Sequence, residues 1–510
     1  MKPKLFIIAL LALLAASCMR DTLPELEKEG AKVVTIKVDI DPETRVVYND
    51  AQYGQQGSLS WQGNDQIMLI GFDDSNLYQG HTTFTMIANG LFQGNTVPGA
   101  TKYKAFYPVS SVRLNQNGDP ILENGNPSMP AHGSNFWQQT QVGNNSAAHI
   151  GNNLVLWDTE ANSINQTFNL ALKSSIIKLD LSGIPEDAGK LYQLIYTVET
   201  ASGVFKSVSI DVTGVTFSAD LDNITAFLSF DAAEMTNIAA DGKVIISLYG
   251  EKSYMWKIDA VTQEKNYAAG KRYTGIVSSG WTEIINPLRY VAKYNVNPAG
   301  TGLVKNLTAC DVSGYFNWND AMTISVSGYH LPSRTEWRSI VPEAYNYVLF
   351  KTTVDKNNTE YVTVRNQNIT MTCDYHNVGT QTNPAPSYAL RYKGTDMLSA
   401  WIYDYISDGN NTHLKVTCRN VVPSVTIFDI ANPDFWITGN EINVVRYFPA
   451  GGQENATGGY NNVGTHGNFW SSTEYNKDNA RIMYFSPDNV QLHVFNKFTK
   501  YSVRLFINTD

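Results

Sequence analysis

Eight His are the first residues to test for chemistry: His81, His132, His149, His330, His376, His413, His466 and His493. No two stand in a HExxH arrangement or four residues apart, so the spacing signals no zinc site. Neither a GxSxG elbow nor a P-loop occurs. Paired carboxylates for glycoside hydrolysis need only be close in space, and nothing in the spacing favours them. The expectation is a protein without catalytic residues, metal or cofactor, one that binds rather than transforms. Trp401, Tyr403 and Tyr405 alternate along one strand, and such a face could stack against sugar rings. The same alternation equally describes a buried face, with Ile402 and Ile406 on the other side. The Asn455–Gly467 loop carries glycines and amides that could hold a ligand or be unspecialised loop.

These residues must be held by a scaffold, and composition bounds its type. The chain has 510 residues, which at about 150 residues per domain suggests roughly three domains. Hydrophobic residues make up 43% and charged residues 17%, excluding a disordered chain and a coiled coil. Aromatics reach 12% and there are 37 Gly, which favours β architecture. A net charge of −9 argues against a nucleic-acid partner, because phosphate binding needs a basic surface.

The N-terminus carries an address. Lys2 and Lys4 precede the apolar run Leu5–Ala16, which is too short to span a bilayer. Ala15-Ala16-Ser17-Cys18 resembles a bacterial lipobox, with Ala15 where Leu is usual. The resemblance implies that residues 1–18 are a signal peptide. Cys18 then bears the acyl (palmitate-type) anchor of an outer-membrane lipoprotein. The alternative is a plain secretory signal with an incidental Cys. Residues 19–30 read as a tether. Of the remaining thiols, Cys373 and Cys418 lie in predicted strands of one region and could pair, or all three with Cys310 are buried and free.

Three blocks follow. In the first, residues 31–160, Val34, Ile36, Val38 and Ile40 alternate with polar residues as a half-buried strand. Asp41-Pro42-Glu43-Thr44-Arg45 then forms an exposed turn. Val46-Val47-Tyr48, Ile67–Ile70 and Tyr103–Tyr107 are further strands, and residues 115–148 read as loop. In the second block, residues 161–283, short strands recur with turns about every 8–12 residues, as in a sandwich. In the third, residues 284–510, Asn317-Trp318-Asn319-Asp320 begins a short helix. Ser333 with Glu336 forms a capping box for another. Asp408-Gly409-Asn410-Asn411 lies between strands as a hairpin turn.

The first two blocks resemble the fimbrillin family of Bacteroidales-type (type V) pili. The carrying features are the lipobox, the Thr44-Arg45 turn, Leu59-Ser60-Trp61 with Asp65-Gln66-Ile67, Ala105-Phe106-Tyr107-Pro108, and Ala269-Gly270-Lys271-Arg272-Tyr273. The resemblance implies two tandem transthyretin-like β-sandwich domains and proteolysis after Arg45. Loss of the Val34/Ile36/Val38/Ile40 strand would leave on the order of 6–12 kcal/mol of apolar burial unmet. The emptied groove would template a strand from another pilus subunit. The alternative is that Arg45 is an ordinary turn residue and the strand stays.

The third block resembles the Fibrobacter-type major paralogous domain, which has a C-type-lectin-like α+β fold. The matching residues are Asn317-Trp318-Asn319-Asp320-Ala321, Gly328 through Trp337, Phe448-Pro449-Ala450-Gly451-Gly452, Phe469-Trp470-Ser471-Ser472-Thr473 and Ser502-Val503-Arg504-Leu505-Phe506. Trp318, Trp337 and Trp470 are expected to hold the fold. His330 stands where Arg is usual, which weakens any ionic bridge assumed there. Trp318-Asn319-Asp320 sits in the wrong place for a lectin calcium site, which needs six to eight oxygens. The fold expectation is thus mainly β: two sandwiches, then a lectin-like domain.

Together these readings suggest a fimbrial tip subunit, assembled by donor-strand exchange, whose third domain binds a glycan or protein receptor. The tip position follows from Tyr501–Ile507, which looks built into the last domain instead of free for donation. The alternative is a surface lipoprotein that binds polysaccharide and never polymerises.

Overall fold

The computed structural model describes residues 31–40, 61–123, 125–127, 139–158, 162–213, 223–235, 237–259, 261, 266–437, 440–455 and 457–509. The fold is mainly β. It divides into two compact units, residues 1–130 with 151–174, and residues 131–150 with 175–510.

The first unit is built from β1 (Val33–Ile40), β2 (Gln66–Phe72), β3 (Tyr78–Ala88), β4 (Leu91–Asn95) and β5 (Lys102–Tyr107). A short strand of the second unit, β6 (Gln139–Thr140), intervenes in sequence. Strands β7 (Leu156–Trp157) and β8 (Phe168–Leu172) then complete the set. The order β1-β8-β7-β5-β2-β3-β4 closes on itself as a barrel. A sandwich was expected. The two sheets merge because β1 bonds to a neighbour on each side. It is antiparallel to β4, with Ile36 opposite Phe92, and parallel to β8, with Val38 opposite Phe168. Strand β8 falls in the second block by sequence pattern, but its pairing makes it part of this barrel.

Strand β2 is buried on both faces. Met68, Ile70 and Phe72 pack outward beneath Phe106, Val112 and the partly buried Leu122 and Trp157. Trp61 stands edge-on to Phe92 and Tyr107, with ring centroids 4.9 and 5.5 Å away.

In the second unit, β9 (Ser174–Leu181), β10 (Leu191–Glu199), β11 (Phe205–Asp211), β12 (Ile224–Asp231), β13 (Val244–Gly250), β14 (Ser253–Ile258), β15 (Arg272–Val277) and β16 (Thr282–Ile284) form two sheets. Their orders are β12-β9-β15 and β16-β14-β13-β10-β11-β6. Residues 139–141, expected as loop, sew these sheets together. The buried Gln139 amide donates to the Ser229 carbonyl (2.6 Å) and accepts from its N–H (2.7 Å). Gln141 donates to the Thr225 carbonyl (2.8 Å) and accepts from the Phe227 N–H (3.0 Å).

The remaining elements of this unit start with α1 (Trp318–Thr323), β17 (Tyr329–His330), α2 (Arg334–Trp337) and β18 (Val348–Leu349). A six-stranded antiparallel meander follows: β19 (Val354–Val364), β20 (Gln367–Asn377), β21 (Ser387–Lys393), β22 (Ser399–Ile406), β23 (His413–Asn420) and β24 (Val444–Pro449). The chain ends in β25 (Gly467–Glu474), β26 (Asn479–Phe485), β27 (Asn489–Asn496) and β28 (Phe506–Ile507). Strands β18-β27-β26-β25 form a second sheet, and β28 pairs with β17.

The helices start where the sequence indicates. Asn317 accepts from the Asp320 N–H at 3.0 Å, and Ser333 with Glu336 makes a complete capping box. Trp337 and Trp470 are wholly buried; Trp318 is half-buried, its indole N–H donating to the Ser471 carbonyl at 2.9 Å. An apolar seam of Ile195, Ile245, Tyr249, Met255, Ile284, Val422 and Ile442 joins the sandwich to the part beyond residue 284. Polar contacts rim it: Ser207 with Ser424 at 2.7 Å, Lys257 with Asp396 at 3.0 Å and Arg365 with Glu283 at 2.9 Å.

Candidate functional site

Strand β1 is the first candidate. Its alternation places Ile36 and Val38 inside the barrel at 3% and 0% exposure, while Val34 and Ile40 are half-buried and Thr35 and Lys37 face out. The Val38 N–H donates to the Gly90 carbonyl at 2.8 Å, and the Thr96 N–H donates to the Lys32 carbonyl at 2.9 Å. Removing β1 would bare an edge on β4 and another on β8. Cys18 and Arg45 lie outside the described residues.

Beside this seam sits Asp158, a buried carboxyl that accepts from the Ala105 N–H at 3.3 Å. Burial pushes it up to about 7, against backbone hydrogen bonds from Ala105 and Asn169 and the charge of Lys104. Because Asn169 lies opposite Asp39, this carboxyl helps hold the strand against which β1 pairs.

Residues 501–507 are locked into the core. Tyr501, Val503, Leu505 and Phe506 are buried, and Arg504 is wholly so. Its guanidinium donates to Asn295 Oδ1 (2.6 Å) and to the carbonyls of Ala292 (2.9 Å), Lys293 (3.1 Å) and Tyr447 (2.7 Å). It also lies 4.7 Å over the Phe448 ring. Burial depresses its pKa to about 9.

The aromatic face of β22 is not a surface. Trp401 and Tyr403 are 0% exposed and stack on each other at 6.2 Å. The Tyr403 hydroxyl donates to the Ile340 carbonyl (2.7 Å) and accepts from Arg391 (3.3 Å). Arg391 in turn forms a buried ion pair with Glu360 at 3.1 Å. These two rings therefore offer nothing to a sugar, because the face turned toward Trp337 and Phe448 is the packed one. Tyr405 is half-buried and donates to the Thr465 carbonyl at 3.0 Å, tethering the Gly-rich loop. Within that loop the Asn455 carboxamide oxygen accepts from the N–H groups of Thr457 and Gly459.

Cys310, Cys373 and Cys418 are free and buried. Cys373 is on β20 and Cys418 on β23, with two strands between them, which excludes the pairing left open by the sequence. Burial pushes the Cys373 thiol up to about 11 and the Cys418 thiol higher still.

A polar cavity of about 430 Å³ opens near β17, a site that the sequence reading missed. It is lined by His330, Ser333, Glu336, Thr363, Asn366, Asn508 and Thr509. His330 Nε2 meets Glu336 Oε1 at 2.7 Å and His330 Nδ1 meets Asn508 Oδ1 at 2.8 Å. At this position, where Arg is usual, the imidazole reaches the capping-box carboxylate directly. The bond to Glu336 raises the His330 pKa against the effect of burial. Burial pushes Glu336 up, but the bonds from His330 and the Ser333 N–H outweigh it and leave the carboxyl below its usual range. The only sequence signals for this cavity were the capping box and His330 itself.

Among the described residues no group of three or more His, Cys, Asp or Glu could hold a metal, and no helix is long and apolar enough to cross a membrane.

Over residues 283–506 the chain matches a family described as a domain of unknown function (DUF8237). None of the curated proteins matches. Among solved structures the chain is similar to a candidate cell adhesion protein of Bacteroides ovatus, at 13% identity over 49% of this chain and 95% of that one, with a TM-score of 0.29. A candidate cell adhesion protein of Bacteroides fragilis aligns at 12% identity over 49% and 96%, with a TM-score of 0.26. The fimbrial anchor protein Mfa2 of Porphyromonas gingivalis aligns at 9% identity over 42% and 78%, with a TM-score of 0.20. At such scores the likeness is remote.

Proposed function

We propose that this chain is a cell-surface subunit of a proteinaceous fibre and that it binds instead of catalysing. In this reading Cys18 anchors the precursor to the outer membrane and cleavage after Arg45 frees residues 18–45. The opened barrel then accepts an extended strand from a neighbouring pilus subunit. The observation that supports this best is the position of β1: one strand closes the barrel, and it does so with only two fully buried side chains. A strand added to the bared edges of β4 and β8 would restore the hydrogen-bond ladder.

The subunit belongs at the distal tip. This part of the reading is supported by residues 501–507, which are packed into the core and held by Arg504 and so are poorly suited to serve as a donor. The part beyond residue 284 then faces outward and binds a glycan or protein receptor.

The test is N-terminal sequencing of surface material combined with immunogold labelling. A mature terminus at Val46 with label at fibre ends supports the proposal. A terminus at Cys18 in all surface protein favours the non-polymerising polysaccharide-binding lipoprotein, and label along whole shafts overturns the tip position.

A further inference from the structure

The cavity beside β17 has the lining of a site for a hydroxyl-rich neutral molecule. Its volume of about 430 Å³ lies toward the small end of the roughly 300–1,000 Å³ spanned by ligand pockets. Ser333, Thr363 and Thr509 bring hydroxyls, and Asn366 and Asn508 bring carboxamides, so nearly every lining group both donates and accepts. The charged members of the lining are His330 and Glu336, and they neutralise each other at 2.7 Å. No uncompensated cation is left to favour phosphate, sulfate or carboxylate. An apolar ligand would strip water from these groups and give nothing back. An adjoining, more enclosed space bordered by Tyr290 and the buried Phe506 offers only about 10 Å³, so a ligand ring is confined to the polar cavity itself.

The walls are fixed before any ligand arrives. Arg365 and Asn366 form the two-residue turn between β19 and β20, both with positive φ (50° and 59°). Arg365 is clamped to Glu283 at 2.9 Å and lies over the Tyr290 ring at 5.7 Å. The Asn508 N–H donates to the Gly328 carbonyl at 2.9 Å and its Oδ1 meets His330 Nδ1 at 2.8 Å, which fixes both its backbone and its carboxamide in the cavity wall. Sites held this way keep their polar groups in register for a ligand.

We propose that this cavity binds the terminal one or two residues of a neutral glycan. The inference rests on the receptor-binding reading above and gives that receptor its chemical class. It is tested on the purified protein by saturation-transfer difference NMR. The probes are D-galactose, D-glucose, D-mannose, L-fucose, N-acetyl-D-glucosamine, N-acetyl-D-galactosamine and lactose, with N-acetylneuraminic acid and inorganic phosphate as charged comparators.

At least one neutral sugar is expected to show transfer, weakened at least tenfold in Asn366→Gly and in Asn508→Ala. Glycine keeps the positive φ of the turn while deleting the carboxamide. Should Asn366→Gly melt below the wild type, Thr509→Val, which removes one hydroxyl, replaces it. No transfer from any neutral sugar, transfer undiminished in the variants, or a preference for the charged probes overturns the inference. The fibre reading is scored apart from this, by the terminus at Val46. Processed protein that enters fibres but binds no sugar removes the glycan site alone. Sugar binding by protein never cut at Arg45 removes the fibre reading alone.

Discussion

If β1 closes the barrel as a removable strand, its retention after cleavage at Arg45 must depend on the two side chains it buries. Ile36→Ala removes a fully packed side chain at about 2–5 kcal/mol, and Val38→Ala loses about 2 kcal/mol more of apolar burial. Their sum, about 4–7 kcal/mol, weakens retention of the cut strand about a thousand- to a hundred-thousand-fold. If half of this appears in the release step, the strand leaves at least about thirty times faster. The assay is displacement. Protein cut after Arg45 is mixed with excess fluorescent peptide carrying the sequence of residues 31–40, and incorporation is followed by anisotropy. Thr35→Ala, on the outward face, serves as the control and is expected to release at the wild-type rate. Equal rates for the double variant and the control would refute the idea that the inward face of β1 gates exchange. So would a wild-type strand that departs as soon as it is cut, since the barrel would then gain nothing from it.

Three further outcomes follow from the packing. Asp158 titrates near 7 in the folded barrel against 3.8 in its ordinary state. The unfolded chain therefore ionises first, and stability falls as pH rises from about 4 to about 7, by up to about 4 kcal/mol. Asp158→Asn should raise the melting temperature of the first unit at pH 8 and leave it unchanged at pH 4; an equal effect at both would show that the carboxyl is not held neutral. Arg504→Met strands four acceptors and should cost about 3–5 kcal/mol in urea unfolding of the second unit, whereas a loss below about 1 kcal/mol would mean that the tail is not locked by this group. Trp401→Ala should cost about 3–5 kcal/mol in the same assay, and a stable variant that has lost only ligand binding would restore the surface role that burial denies this ring.

What the sequence disclosed is what is local. The period-two alternation of Val34, Ile36, Val38 and Ile40 marks β1 because one face meets a core and the other meets water. The caps at Asn317 and Ser333 are visible because the bond spans three residues. The barrel closure is not visible, since β1 finds its parallel partner β8 far along the chain, and a parallel pairing leaves no turn signature between its strands. Gln139 and Gln141 read as loop because their contribution is made by side-chain amides reaching strand β12. The alternation of Trp401, Tyr403 and Tyr405 shows that they share a face, but not which face is covered. The polar cavity was the least legible feature, for it draws on β17, the α2 cap, the β19–β20 hairpin and residues 508–509. Only folding brings those segments together.

The contrast between two segments gives the fold its functional sense. Strand β1 is held by two fully buried aliphatic side chains and a backbone ladder that any extended strand could supply. Residues 501–507 are held by Tyr501, Val503, Leu505 and Phe506, and by a guanidinium that satisfies four acceptors with fixed positions. Backbone ladders are indifferent to sequence, so the first attachment is exchangeable in kind, and its occupant need only present apolar side chains at alternate positions. The second is specific in kind, because no other segment would bring Arg504 to those carbonyls. In the proposed fibre, a chain built this way would yield its first strand to a neighbour at little cost in specificity while keeping the part that carries the polar cavity intact.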